Sequence, residues 1–461
     1  MTFNPSSDGR KIMSKSSISL PFDVNIGLVI DDILDTSILQ KTWARLIGRS
    51  SLLGGVLRSK NRDPRKVRCG STVDFEGRIL DHDLATFLPF SWYGRDKPTI
   101  LHDDMRDIDG KFLFNALSDP KPVCLLRATV LRDATLLCFS FVHSIFDGQS
   151  CFDVIGLFCD LLNGKDIPRF ILPPDVEGRM SDLLVDGDSD GAMPSYRSVL
   201  GTSRLRQMRF FGKVLMQKTR EMLHLSERLT YRLIHVPSAW VDEVRSKAQK
   251  ELESNGSSVK LTRNDIIAAL YLKMLYSPKR ARKDPVDFIG PVNYRGLLKH
   301  QEQGTYYPHN SIIFLRSKLS ECQVTTSSIG QVAEKIRLST MQYQDPRVIR
   351  AELKRIEDKV VSPAVMEPRG NVQRSLPLLS PWTTFNYADL DFAGASCQGR
   401  KASVVFVNPD ISLIGGTLPT LLLVSLKDFE GGYWLRGSNT PRGWEDFEHC
   451  TSLKTLLRAG E

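Results

Sequence analysis

The chain has 461 residues, 41% hydrophobic and 25% charged, the composition of a globular protein long enough for two or three domain-sized units. Its 62 Lys and Arg against 53 Asp and Glu leave a net charge of +9, which favours an anionic partner. The basic residues are scattered, and the absence of an arginine-rich tail, zinc-finger spacing or aromatic RNP-type segment argues against nucleic acid.

Met1 to Lys15 is a polar lead without the apolar core of a signal peptide, and no run approaches the roughly 18 apolar residues of a membrane span. A cytoplasmic protein is expected. Between Ile18 and Ile30, strand-like stretches are interrupted by Pro21, and Asp35 caps a helix whose Ile38, Leu39, Trp43, Leu46 and Ile47 form one apolar stripe. Ser51 to Arg58 resumes as turn and strand. Residues 60 to 120, rich in Asp, Arg, Gly and Pro, read as surface loops and short elements.

Val123 to Leu131 and Thr135 to Val142 have the composition of buried strands and form a hairpin. In the helix that follows, Ser150 and Asp153 read as a capping box, and Phe152, Val154, Ile155, Phe158, Leu161 and Leu162 recur at helical spacing until Asn163-Gly164. From Leu172 to about Ser198 the composition shifts to Pro, Gly, Asp and Ser, the best linker signal in the chain. It divides the protein into a first domain, 1–195, a crossover, 196–228, and a second domain, 229–461. The crossover contains a basic, partly amphipathic helix, with Arg206, Arg209, Lys213, Lys218 and Arg220 against Phe210, Phe211, Val214, Leu215, Met222 and Leu223. Such a stripe is expected to pack on its own protein, a membrane-surface helix being the alternative.

In the second half, Thr262 and Asp265 make a capping box whose helix N-terminus could receive a phosphate, with Lys260 beside it. Strands are expected at Val286 to Val292 and Ser311 to Leu315, joined through Asn293-Tyr294-Arg295 and the turn-like Tyr306 to Asn310. Helices follow at about Ser328 to Gln342 and Arg347 to Val360. A β-rich region then holds Ser380-Pro381-Trp382, Ser403 to Val407, and a hairpin through Glu430-Gly431-Gly432. Strands mixed with helices in this way indicate an α/β or α+β layered protein. The eight cysteines include no C-x-x-C pair and read mostly as buried free thiols of a reducing compartment. The final Arg458 to Glu461 is no peroxisomal address.

The string Gly187 to Gly191 fits G-x-S-x-G only within the linker run, and no G-x-S-x-G elbow, P-loop, G-x-G-x-x-G or H-E-x-x-H occurs, which removes the usual support for hydrolase, NTPase, nicotinamide and zincin readings. The dispersed His and Cys residues suit no metal site. One motif stands out: His143-Ser144-Ile145-Phe146-Asp147-Gly148, where a buried strand ends and a helix begins. An imidazole titrating near neutrality can take a proton from a hydroxyl and return it within one turnover. A general base without an obvious protein nucleophile suits direct transfer of an already activated group.

This His-x-x-x-Asp-Gly resembles the signature of the BAHD acyltransferases, and Asp391-Phe392-Ala393-Gly394 resembles their downstream Asp-Phe-Gly-Trp-Gly element, departing from it at Ala393 and at Gly394-Ala395. Ser380-Pro381-Trp382, Asn293-Tyr294-Arg295, Tyr306 to Asn310 and the helix opening at Thr262 are similar to family features in order and spacing, and the likeness is strongest to the fungal secondary-metabolism branch, which includes trichothecene O-acetyltransferase. The resemblance implies a chloramphenicol-acetyltransferase-like fold: two similar domains, each a mixed β-sheet flanked by helices, with an active-site channel at their interface. The segment near 380–410 is expected to cross to the first sheet. Acyl-coenzyme A, acetyl-coenzyme A above all, is implied as co-substrate, with no tightly bound cofactor or metal. Its phosphates offer a small-molecule reason for the positive charge.

By the same resemblance His143 is the general base and Asp147 its positioning residue, paired with Arg295. Trp382 and Ser380 supply donors to the oxyanion. Gly148, Arg295, Asp391, Phe392 and Gly394 are structural at the site, and Lys260, Thr262 and Asn310 meet the coenzyme. The reaction implied is O-acylation of a terpenoid, polyketide or alkaloid hydroxyl by a monomeric enzyme. The alternatives are a condensation-type enzyme using a carrier-bound thioester, against which Val142 stands where such domains carry a second His, and a non-catalytic binding protein on the same fold.

Overall fold

The computed structural model describes residues 10–12, 22–57, 66–68, 70–88, 98–101, 105–112, 121–170, 180–185, 192–201, eight positions between 208 and 223, 230–276, 284–298, 305–359, 365–366, 377–413 and 422–450. Most of the polar lead, the Pro173-Pro174 and Asp186 to Gly191 linker runs, Phe210, Phe211, Val214 and the last eleven residues lie outside the described residues.

Strand β1, Phe22–Ile30, is buried along nearly its whole length. Asp35 then accepts the N–H groups of Ser37 and Ile38 and caps α1, Thr36–Gly48, which buries the expected stripe of Leu39, Trp43, Leu46 and Ile47. Strands β2, Phe75–Ile79, and β3, Thr99–Ile100, and helix α2, Met105–Phe112, are short elements in the region expected to hold surface loops and short elements. The short elements are as expected, but α2 is not wholly at the surface. Met105, Ile108 and Phe112 recur at helical spacing within a charged sequence and are buried. Strands β4, Cys124–Val130, and β5, Thr135–Val142, form the expected hairpin, and α3, Gly148–Leu162, ends at Asn163 with Gly164 at φ +72. Trp43, Phe139 and Phe158 meet edge to face with centroids 5.7 to 5.9 Å apart, fixing α1 and α3 on the sheet.

The second half supplies β6, Thr230–Val236; α4, Ser238–Ser254; α5, Arg263–Leu275; β7, Pro285–Asn293; and β8, Ile312–Ser320. Helices α6, Ile329–Tyr343, and α7, Pro346–Lys359, follow. Strands β9, Leu378–Pro381; β10, Val404–Leu413; β11, Leu422–Lys427; and β12, Tyr433–Asn439, complete the architecture.

Two sheets result. The first runs β10-β1-β5-β4-β2, and the second runs β8-β7-β9-β11-β12-β6-β3. Each borrows a strand: β10 from the second half lies antiparallel to β1, and β3 from the first half pairs with β6. Each sheet anchors its own large apolar cluster. The seam between the sheets carries a buried ionic network. Arg436 of β12 donates to Asp109 of α2 and Asn408 of β10, both at 2.7 Å, and to Asp410 of β10 at 3.2 Å.

Of the apolar stripe expected in the basic crossover stretch, Leu215, Met222 and Leu223 are among the described residues. All three are exposed, on the same helical face as the exposed Met208 and Met216, so this face points to solvent. Among the described residues, no helix is long and apolar enough to cross a membrane, and no group of three His, Cys, Asp or Glu could hold a metal. Four described cysteines are buried and free, Cys124, Cys138, Cys151 and Cys159, whereas Cys322 and Cys397 are free and exposed.

Candidate active site

The apolar run of β5 ends at Val142, whose carbonyl accepts the N–H groups of Ile145 at 2.9 Å and Phe146 at 3.1 Å. Ile145 and Phe146 are fully buried, and Phe146 packs on Phe141 with centroids 5.5 Å apart. This anchored turn carries the half-buried His143, whose Nδ1 lies 2.8 Å from the Phe146 carbonyl oxygen. Only a protonated Nδ1 can donate to a carbonyl, so the basic lone pair belongs to Nε2. Burial pushes the imidazole below its ordinary pKa of 6.5, opposed by the Phe146 carbonyl and by the charges of Asp147 and Asp23.

The cap of α3 corrects one expectation. The helix starts at Gly148, and its N-cap is Asp147, which accepts Ser150 N–H at 2.8 Å; Ser150 and Asp153 form no capping box. Both Asp147 and Ser150 are N-cap residue types, and the carboxylate three residues upstream takes the free amide first. Ser150 Oγ donates to Asp147 at 2.9 Å, while Asp153 accepts from Gln149 at 2.6 Å and Tyr306 at 2.9 Å.

Asp147 is 1% exposed, and a buried carboxylate requires pairing. Its partner is the expected one: Arg295 Nη2 lies 3.1 Å from Asp147 Oδ2 and 3.3 Å from Oδ1. The same nitrogen donates to Ser150 Oγ at 2.7 Å and to the His309 carbonyl. Ser311 N–H adds a further bond to Asp147 Oδ2 at 2.7 Å. Asn310, expected at the coenzyme, grips this loop: its Nδ2 donates to the His143 carbonyl at 3.0 Å and its N–H to Ile145 at 2.8 Å. The holding roles of Asn310 and Ser311 were not foreseen. A buried polar pair just ahead of an apolar strand was the available signal.

Ser380 and Trp382 stand at the end of β9. Trp382 is 3% exposed, its N–H donates to the Ser425 carbonyl at 2.8 Å, and its indole Nε1 donates to Ser380 Oγ at 3.0 Å. The two expected oxyanion donors are thus arranged in series. Ser380 uses its lone pair on Trp382 and retains its own O–H to donate. A Cβ at Gly148 would lie 3.1 Å from Trp382 Nε1, so the indole packs directly on the first residue of α3.

Asp391 to Gly394 closes the opposite end of α3. Asn163 donates to the Asp391 carbonyl at 2.8 Å and accepts Gly394 N–H at 3.0 Å, while Asp391 Oδ1 accepts Ala393 N–H at 2.9 Å. Phe392 is fully buried in the first core against Phe158, at 6.5 Å. Lys260 and Thr262 belong to the start of α5. The expected capping box forms, and Asp265 Oδ2 accepts both Thr262 N–H and Oγ–H at 2.7 Å, so this N-terminus already holds a carboxylate. Lys260 is exposed and pairs with Glu253 at 2.7 Å. Thr383 Oγ donates to Asn264 at 3.1 Å, which ties the Trp382 segment to α5.

No family model matches the chain. Acetyltransferase peniE of Penicillium patulum is 38% identical to it over 94% of this chain and 95% of the relative, and O-acyltransferase ausP of Aspergillus calidoustus is 21% identical over 90% and 88%. Among solved structures, F. sporotrichioides TRI101 complexed with coenzyme A and T-2 superposes with a TM-score of 0.67 at 14% identity, covering 95% of this chain and 97% of that one. Vinorine synthase superposes with a TM-score of 0.60 at 12% identity, over 100% and 96%. Two mixed sheets flanked by helices are therefore the expected chloramphenicol-acetyltransferase-like fold. With His143 and Asp147 locked at the head of α3 and a near full-length acetyltransferase relative at 38% identity, the chain belongs to the BAHD acyltransferases of fungal secondary metabolism.

Proposed function

We propose that this acyltransferase moves an acetyl group from acetyl-coenzyme A, or another acyl-coenzyme A, directly to a hydroxyl of a terpenoid, polyketide or alkaloid product. Nε2 of His143 takes the acceptor proton as the hydroxyl oxygen attacks the thioester carbonyl carbon. The tetrahedral intermediate collapses with cleavage of the C–S bond, and the leaving thiolate recovers the proton from His143. The observation that carries this reading is the 2.8 Å bond from His143 Nδ1 to the Phe146 carbonyl, which places the proton on Nδ1 and makes Nε2 the basic nitrogen.

In this reading Asp147 is a positioning residue. Its pairing with Arg295 and Ser311 holds the loop, and it relays no proton. Ser380 donates its O–H to the developing oxyanion and Trp382 orients it. Gly148, Arg295, Asp391, Phe392 and Gly394 brace α3. Lys260, Thr262 and Asn310 are proposed to flank the coenzyme, Lys260 as the flexible cation and the other two by shaping the backbone around it. The complexes named for TRI101 with coenzyme A support a coenzyme A donor, as does the net charge of +9. We also read the chain as domains 1–195 and 229–461 joined by a crossover, acting as a cytoplasmic monomer, since one chain furnishes both sheets.

The test is acceptor-dependent thiol release from acetyl-coenzyme A with hydroxylated acceptors, wild type against His143→Ala. Release abolished in the variant supports the assignment. Undiminished release by His143→Ala, or transfer only from a loaded carrier protein, overturns it.

A further inference from the structure

Eleven large apolar side chains stand exposed among the described residues, and five belong to one short stretch: Met208, Leu215, Met216, Met222 and Leu223, at 57 to 80% exposure. The described positions from Met208 to Met222 are helical, and Leu223 N–H still bonds the Thr219 carbonyl at 3.0 Å. At about 100° per residue, the five side chains fall within roughly a third of the helix circumference, one continuous face turned to water. A large apolar face in solvent marks an interaction site.

Charge identifies the partner. Residues 204–223 contain Arg204, Arg206, Arg209, Lys213, Lys218 and Arg220 against Glu221 alone, six positive charges less one negative, or +5. Arg220 is exposed and borders the apolar face, four residues after Met216 and three before Leu223. A second copy of the chain would bring the same positive charge against itself. A nucleic acid would leave the Met and Leu side chains unserved. An anionic bilayer satisfies both halves of the pattern. We infer that the exposed face of Met208, Leu215, Met216, Met222 and Leu223 docks this enzyme on an anionic phospholipid surface, these side chains entering the acyl boundary and the basic residues of the same stretch of sequence meeting lipid phosphates. This inference does not depend on the acyl donor or acceptor.

The experiment is co-sedimentation of the full-length protein with vesicles of phosphatidylcholine alone and of phosphatidylcholine mixed with phosphatidylserine. Wild type is expected to bind the mixed vesicles and to be released by high salt. A triple variant, Leu215→Ser, Met222→Ser and Leu223→Ser, is expected to lose binding while keeping the wild-type circular dichroism and Tm, because the replaced side chains are exposed. Neutralising Lys213, Lys218 and Arg220 to Gln is expected to weaken binding at least about tenfold. Three results overturn the inference: equal binding to both vesicle types, a serine triple that binds like wild type, or no binding by wild type. A concentration-dependent dimer dissolved by the triple variant also overturns it, assigning the face to a second copy.

Discussion

A Cβ on Gly394 would lie 2.0 Å from the carbonyl oxygen of Leu162, so the Asp391 to Gly394 segment rests on the last turn of α3 at a distance only glycine permits. The contact depends on one of the residues at which this motif departs from the family pattern, Gly394 standing where the family carries Trp. Gly394→Ala should cost about 1–3 kcal/mol through overpacking. A lowered Tm with a modest fall in kcat is expected, and an unchanged Tm would show that the contact can relax.

Arg295 and Asp147 form a buried pair, so removing one partner strands the other. Asp147→Asn preserves an N-cap residue but discards the charge, and should destabilise by about 3–5 kcal/mol. Because the loop then loses its hold on His143, kcat should drop far more than KM changes. Combining Asp147→Asn with Arg295→Met should recover stability in urea denaturation without recovering kcat. Recovery of both would refute the positioning role.

The pH dependence has a defined sign. Burial lowers the His143 pKa below 6.5, so the neutral imidazole persists to lower pH than for a free histidine. The kcat/KM profile should be flat at neutral pH and fall only below that ordinary value. Stability follows the same direction: the contribution of a His held neutral is fully present above the unfolded value and is lost as pH falls through the interval between the unfolded and folded pKa values. Asp23→Asn removes a charge that opposes the shift and should move the acid limb of the profile further down.

Trp382 and Ser380 in series predict unequal effects. Ser380→Ala removes the donor itself and should lower kcat about 10²–10³-fold. Trp382→Phe removes only the bond that orients it and should cost less. The double variant should match Ser380→Ala, and additive losses would place the indole on the substrate directly.

Arg436 ties the two sheets together through Asp109, Asn408 and Asp410. Arg436→Ala should lower stability by about 3–5 kcal/mol by leaving the buried carboxylate of Asp109 without its counter-charge, read as an earlier urea midpoint. A variant as stable as wild type would mean that water reaches the seam.

What could be read from the sequence was local. The motif from His143 to Gly148, the Asp35 cap and the Thr262 capping box depend on residues within a few positions of one another, where spacing alone sets geometry. Arg295 was identified as the partner of Asp147 only through resemblance, since 148 residues separate them. The cap of α3 was misread because Asp147 and Ser150 are both suited to it, and the choice depends on the amide each can reach. The supports from Asn310 and Ser311, and the bond of Arg436 to Asp109 across 327 residues, arise from sheet packing that no local pattern announces. The exposed Met and Leu face was legible only as one of two alternatives, because periodicity reveals an apolar stripe but not which way it points.

The exchange of β3 and β10 between the sheets constrains how the protein can be made. Asn25 on β1 waits for Asp410 on β10, 385 residues later. On the ribosome, the outer edge of β1 lacks its β10 partner until almost the entire polypeptide has emerged, an open template for aggregation during synthesis. Expressing the two halves as separate fragments should yield insoluble pieces, each missing the strand the other retains.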